Sequence, residues 1–382
     1  MKPSIIIYAL VFILFSCQRD NEKQFKKDII GEWTYIRTDD QRKQSKDNTL
    51  KPIPPTVFGT HIPGYIFSEN NNCENKSGYF KSIDAANRED RKTIFLGNKT
   101  SYKIENDSLK ILNLVDKTWE NQKIYSIIGD TMTVKMGDSL YVKYARAKYK
   151  INPEESYDQI IVSSSGCYGT CPIANVSIDK SGKIFYHGKH YNTQNGFFES
   201  KITENEYQKI QNNFKKANIQ NLEDNYDADW TDDETITITF IKNHKIVKTI
   251  TDYGRKAPID LIWAYTPVRF LYQQIKLKPL NTDYGALLSR RQLNFNKGNQ
   301  ICDLGQSESF YLLTEIVKGK KNTQKFEKKY QIELWDDNDK KTTMYTDGRY
   351  FLLNDKTIDL GYNFLTQNNL TENFRTKHKY DY

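Results

Sequence analysis

The residues with most chemical potential in this 382-residue chain are Cys167 and Cys171, set in Gly166-Cys167-Tyr168-Gly169-Thr170-Cys171-Pro172. Two thiols at this spacing allow either a structural disulfide or a redox-active dithiol. A redox pair has two intervening residues and sits at a helix N-terminus, which lowers the thiol pKa. Here three residues intervene and Pro172 leads into a strand-like run, which favours the structural bridge. His187-Gly188-Lys189-His190 follows after 15 residues, so two Cys and two His loosely imitate a zinc finger. A finger carries its His pair on one helix face, whereas this pair straddles Gly188 at a strand end, so no metal is expected. The acidic stretch Glu223, Asp224, Asp227, Asp229, Asp232, Asp233, Glu234 lacks the Gly and terminal Glu of a calcium loop and reads as a solvated loop. Ser163-Ser164-Ser165-Gly166 has neither the spacing nor the Lys of a phosphate loop. With 5 His and no nucleophile elbow or paired His-Glu motif, a non-enzymatic role with no cofactor is expected.

These residues must be positioned by β-rich elements. Apolar content of 37%, with 26 Tyr and 19 Phe, is enough for packed cores and excludes global disorder. The charge of +8 is spread along the chain rather than gathered on one run, so no nucleic acid partner is expected. From Ile30 to Ala147 the chain alternates in strand fashion. The runs Trp33–Arg37, Tyr65–Phe67, Thr93–Leu96, Ser101–Ile104, Leu109–Leu112, Lys123–Ile127, Met132–Val134 and Tyr141–Tyr144 are broken by Asn, Asp and Gly. Eight short strands at this spacing predict a small barrel or sandwich over 30–147.

Residues 148–157 read as a linker, and an α+β module follows over 157–280. Strands are predicted at Gln159–Ser163, Ala174–Ile178, Lys183–His187, Phe197–Ile202, Thr235–Ile241 and Lys245–Thr251. Thr203-Glu204-Asn205-Glu206 is a capping box that opens a helix with Tyr207, Ile210, Phe214 and Ala217 at helical spacing. Pro258 opens a second helix, kinked at Pro267 and continuing to about Leu277. Both helices are expected on one face of an antiparallel sheet. Residues 281–382 read as a β-rich third domain or an appendage of the second, with strands at Phe310–Val317, Tyr330–Trp335, Thr342–Tyr345 and Tyr350–Leu353. Asp336 to Asp339 reads as a turn and Asn363 to Phe374 as a short helix. The fold class is therefore mainly β, with an α+β second domain and a β-rich C-terminal region.

Met-Lys-Pro-Ser and an apolar run from Ile5 to Phe15 read as a signal segment, because 11 apolar residues are too few to span a bilayer core that needs about 20. Leu14-Phe15-Ser16-Cys17 resembles the lipobox of bacterial lipoproteins. That resemblance implies cleavage after residue 16, diacylation of Cys17, and a membrane partner through the lipid, with 17–29 as a tether. Gln18-Arg19-Asp20-Asn21-Glu22 resembles a short acidic export signal of some Gram-negative lipoproteins, which implies the outer membrane and its outer face. Such a compartment is oxidising, which makes a Cys167–Cys171 bridge the default.

Gly31-Glu32-Trp33 resembles the Gly-x-Trp opening of lipocalin-like domains. The resemblance implies that Trp33 plugs one barrel end and that Arg146 packs over it. An eight-stranded barrel either fills with side chains or holds one small ligand, and a filled interior is expected. The Cys167–Pro172 motif, with Gly182, Tyr186, Gly188 and Thr231-Asp232, resembles a domain of unknown function found in bacterial lipoproteins. The leading reading is a lipid-anchored envelope protein that binds or scaffolds an unknown protein or small molecule. Its alternatives are a thiol-disulfide oxidoreductase acting through Cys167 and Cys171, or a carrier of a small apolar ligand in the barrel.

Overall fold

A computed structural model describes residues 22–41, 64–137, 139–280, 292–335 and 341–378. The signal segment, Cys17, residues 18–21 and the turn at 336–339 lie outside them. The described residues fall into two compact units, one within Met1–Lys81 and Phe95–Tyr149, the other within Ser82–Ile94 and Lys150–Tyr382. The segments 157–280 and 281–382 thus share the second unit. The fold is mainly β, with a closed barrel followed by two further sheets and few helices.

The barrel strands are β1 (Gly31–Asp40), β2 (Gly64–Phe67), β3 (Asn72–Ile83), β4 (Lys92–Glu105), β5 (Ser108–Leu112), β6 (Trp119–Ile128), β7 (Thr131–Met136) and β8 (Leu140–Arg146). Each is hydrogen-bonded to the next, and antiparallel pairing of β1 with β8 closes the cylinder. Alternate residues point inward, so Met132, Val134, Val142 and Tyr144 meet inside. The strand count matches the sequence, but its partition does not. The runs Thr93–Leu96 and Ser101–Ile104 belong to the single strand β4, which carries Gly97 at φ +95° without breaking. Residues 72–83, where no strand is predicted, form β3, whose mixed Asn-Cys-Glu-Asn-Lys-Ser pattern hides the alternation.

The second unit is built on a sheet ordered β13–β15–β14–β9–β10–β11–β12–β16. These are β9 (Gln159–Ser164), β10 (Ile173–Asp179), β11 (Lys183–His190), β12 (Gly196–Lys201), β13 (Asn225–Tyr226), β14 (Thr235–Lys242), β15 (Lys245–Tyr253) and β16 (Lys278–Pro279). Helix α1 (Glu204–Lys216) begins at the Thr203–Glu206 capping box, with both reciprocal bonds present. Helix α2 (Ile259–Arg269) carries Pro267 and ends at Phe270, giving way to a 3-10 turn over Leu271–Gln273 instead of continuing to Leu277. Even-numbered residues of the central strands face this helical side, where the Phe240 ring meets Phe214 at 5.2 Å.

Both helices of the 157–280 module pack together on that face, and the other face is covered as well. Helix α3 (Gln306–Lys318) covers it, packing Phe310 and Leu313 with Ile161, Phe185, Phe197 and Ile241. The run Phe310–Val317, predicted as a strand, lies inside this helix. Residues Gln306 through Ile316 are almost all buried, so no polar face marks the helical period. A second sheet, ordered β19–β23–β22–β21–β20–β17–β18–β24, closes over α3 and contributes Phe295, Ile332, Leu334, Met344 and Phe351 to the same core. Its strands are β17 (Asn294–Lys297), β18 (Gln300–Asp303), β19 (Lys320–Asn322), β20 (Tyr330–Trp335), β21 (Lys341–Thr346), β22 (Tyr350–Leu353), β23 (Lys356–Asp359) and β24 (Arg375–Thr376). Between Asn363 and Phe374 the chain forms one turn of helix, Phe364–Gln367, and a 3-10 turn, Leu370–Glu372.

Candidate functional site

The 165–172 loop leaves and re-enters the sheet at one point. The Ser164 hydroxyl donates to the Pro172 carbonyl (2.7 Å) and accepts from the Ala174 amide (3.2 Å), which pins the two ends together. Cys167 and Cys171 are disulfide-bonded within it, their Cα atoms 5.7 Å apart. The Gly169 amide donates to Cys167 Sγ (3.2 Å), and a Cβ at Gly169 would sit 3.3 Å from that sulfur. The Tyr168 amide donates to the Asp232 carbonyl (3.0 Å). Arg88, from the Ser82–Ile94 segment of the same unit, donates to the carbonyls of Tyr168 (2.6 Å) and Gly169 (3.0 Å). With its backbone fixed on three sides, Tyr168 presents a ring that is 80% exposed.

Beneath the loop lies a buried ion pair that the sequence did not reveal. Glu234 and Arg269 are both 4% exposed and joined in a two-pronged fork, one prong of 2.5 Å. Arg269 Nη2 also reaches the Pro172 carbonyl at 3.3 Å, so the fork props up the loop's exit. Arg255 lies 3.5 Å from Glu234 as a second cation. Glu234 is therefore no part of a solvated acidic loop. Its only sequence signal was its place as the last acid before an alternating strand. Of the other acids there, Asp224 bridges Lys248 at 2.5 Å and Asp233 accepts from the Trp230 indole at 3.2 Å.

Three positions beside the motif serve the same support. Tyr186 stacks on Tyr272 with centroids 4.3 Å apart. A Cβ at Gly188 would fall 2.3 Å from the Tyr186 hydroxyl oxygen and from the Gln194 carbonyl, so only glycine fits. Asn192 continues the network, donating to the Ile173 carbonyl (2.7 Å) and accepting from Tyr272 (3.3 Å). Farther off, Asp252 is fully buried and accepts from the Ala257 amide and the Tyr265 hydroxyl, each at 2.9 Å. Burial raises its pKa, and those donors partly oppose the rise.

The chemistry open to this arrangement is narrow. The disulfide leaves neither sulfur as a thiolate, and Cys171 feeds β10 rather than a helix N-terminus. His187 is not aimed at the sulfurs as a ligand would be; it lies edge-on to Phe197 on the α3 side of the sheet, centroids 6.3 Å apart. Burial, reinforced by the nearby Lys189 charge, lowers its pKa to about 4. Among the described residues no group of three or more His, Cys, Asp or Glu converges to hold a metal. Among the described residues the free cysteines are Cys73 and Cys302, both buried, and burial pushes the Cys302 thiol up to about 11.

In the barrel, Trp33 is fully buried and its indole donates to the Ile29 carbonyl at 2.6 Å. The guanidinium of Arg146, the direct β1–β8 partner of Trp33, lies 4.4 Å from the ring centroid. It donates to the carbonyls of Ile30 (2.7 Å) and Asp28 (2.5 Å). Gly31 is needed here, because at its φ of +126° a Cβ would meet Arg146 Nη1 at 2.6 Å. Aromatic rings occupy the barrel above Trp33, with Phe67 against Tyr102 at 4.9 Å and Tyr65 against Tyr144 at 5.9 Å. Burial pushes the Tyr102 hydroxyl up to about 12.

Residues 158–272 match the family model described as a domain of unknown function, DUF6438. A search of curated proteins finds no match.

Proposed function

We propose that this chain is a lipid-anchored envelope protein, tethered through Cys17, whose second unit is a non-enzymatic binding module with Tyr168 at its docking tip. One observation carries the reading. A loop braced by a disulfide, by Asp232, by Arg88 and by the Glu234–Arg269 fork holds a large aromatic side chain 80% exposed. Burying a tyrosine side chain gains contact area at low entropy cost when its backbone is already ordered. A structural core has no use for such a residue at a braced tip. The oxidoreductase alternative draws no support from a pair that feeds a strand, and the carrier alternative none from the aromatic filling of the barrel.

The anchor is tested by metabolic labelling with a tagged fatty acid, in which label is expected on the native chain and absent from Cys17→Ala. Label persisting on that variant refutes the anchor. The tip is tested by a photo-crosslinking residue at position 168 of the full-length protein in the cell envelope. A discrete adduct is expected that excess native protein competes away and Tyr168→Ala does not. Equal competition by Tyr168→Ala refutes the tip.

A further inference from the structure

The second unit carries a groove of about 790 Å³, away from the disulfide loop, between β11, β12 and the 276–279 segment. That volume falls among ligand clefts, which run roughly 300–1,000 Å³. Its wall is mostly apolar, formed by Leu277, Pro279 and lysine stems. Four ammonium groups rim it: Lys183, Lys201, Lys276 and Lys278.

Among the described residues, one carboxylate answers them. Glu199 bridges Lys278 at 3.2 Å and Lys183 at 4.0 Å. Lys201 and Lys276 form no ion pair among the described residues. Lys183 and Lys201 are direct cross-strand partners on β11 and β12, a like-charge placement that costs stability unless an anion lies between them. The Ser200 hydroxyl donates to the Lys276 carbonyl at 2.7 Å, which holds the third cation beside the same pair.

The edge itself selects among anions. β16 is only two residues long and ends in Pro279, which has no N–H to offer an added strand. An acidic peptide could not extend the sheet there by backbone pairing. An apolar wall under uncompensated cations instead suits a single apolar chain with an anionic head.

We propose that this groove binds a monoacyl anion, with the chain along Leu277 and Pro279 and a carboxylate or phosphate head at Lys201 and Lys276. This site stands independently of the Tyr168 tip. The full-length protein is titrated calorimetrically with decanoate, decyl phosphate and decanol, each below its aggregation concentration. Saturable one-to-one binding of both anions is expected, with decanol at least tenfold weaker. Affinity for the anions falls at least tenfold in Lys201→Ala/Lys276→Ala and also falls in Leu277→Ser, while Tyr168→Ala binds as the native protein does. Lys201 and Lys276 are exposed and Leu277 is partly exposed, and an unchanged far-UV spectrum verifies folding. A stronger response to one head than the other identifies the source as a free fatty acid or a phospholipid derivative. The proposal is overturned if neither anion binds saturably, if decanol matches them, or if the double-lysine variant retains native affinity.

Discussion

Replacing Arg269 with Met removes both prongs of the fork to Glu234 and the contact at the Pro172 carbonyl. The Glu234 carboxylate then stays buried, with only Arg255, 3.5 Å away and itself partly exposed, to offset it. Breaking a buried pair from one side costs about 3–5 kcal/mol. The residual Arg255 contact places the expected loss near the lower bound, about 3 kcal/mol. At roughly 1.4 kcal/mol per tenfold, that is about a hundredfold rise in local opening. Pro172 retains the Ser164 hydroxyl, so the loop loosens rather than detaches. The assay is hydrogen exchange by mass spectrometry on peptides covering 164–172, with urea unfolding followed in parallel. The Tyr168 amide, bonded to the Asp232 carbonyl, is the most informative reporter. The double variant Glu234→Leu/Arg269→Met removes the orphaned charge and is expected to regain most of the lost stability, because an apolar pair often equals a buried salt bridge. A single variant that costs under about 1 kcal/mol, or a double variant as unstable as the summed singles, refutes the fork as the loop's support.

Three further outcomes are expected. Trp33→Ala destabilises the barrel by about 3–5 kcal/mol, as large buried aromatics do; a calorimetric loss under about 1 kcal/mol argues that Trp33 does not close the core. Cys167→Ser with Cys171→Ser costs about 2 kcal/mol by the chain entropy of a five-residue loop and leaves the sheet folded; insulin-reductase activity that vanishes in this variant supports the oxidoreductase instead. His187, with a folded pKa of about 4 against an ordinary 6.5, stays neutral in the native state and takes up its proton more readily when unfolded. Its contribution is present above pH 6.5 and is lost as pH falls toward 4, about 3 kcal/mol in all at 1.36 kcal/mol per unit. His187→Phe should flatten urea stability between those values, and an unchanged slope contradicts a buried neutral imidazole.

Local pattern alone determined those features of this protein in which neighbours along the chain do the physical work. The Thr203–Glu206 capping box opens α1 because both partners lie within one turn. Cys167 and Cys171 meet because a five-residue loop with Gly169 leaves them little room to part. The central strands read as strands because β-branched runs such as Thr235–Ile241 suit a pleated surface. Periodicity reports a face only where another face meets water, and α3 has none, so Phe310–Val317 looked like a buried strand until the sheets on either side were in place. Glu234 sat at the end of an acidic stretch and became an internal support only when Arg269, 35 residues on, folded over it. The lysine groove likewise exists only because β16 returns to β12, nearly eighty residues away in sequence, and sets Lys278 opposite Glu199. Charge compensation at such distances is decided by which elements pack together, and no window along the chain contains it.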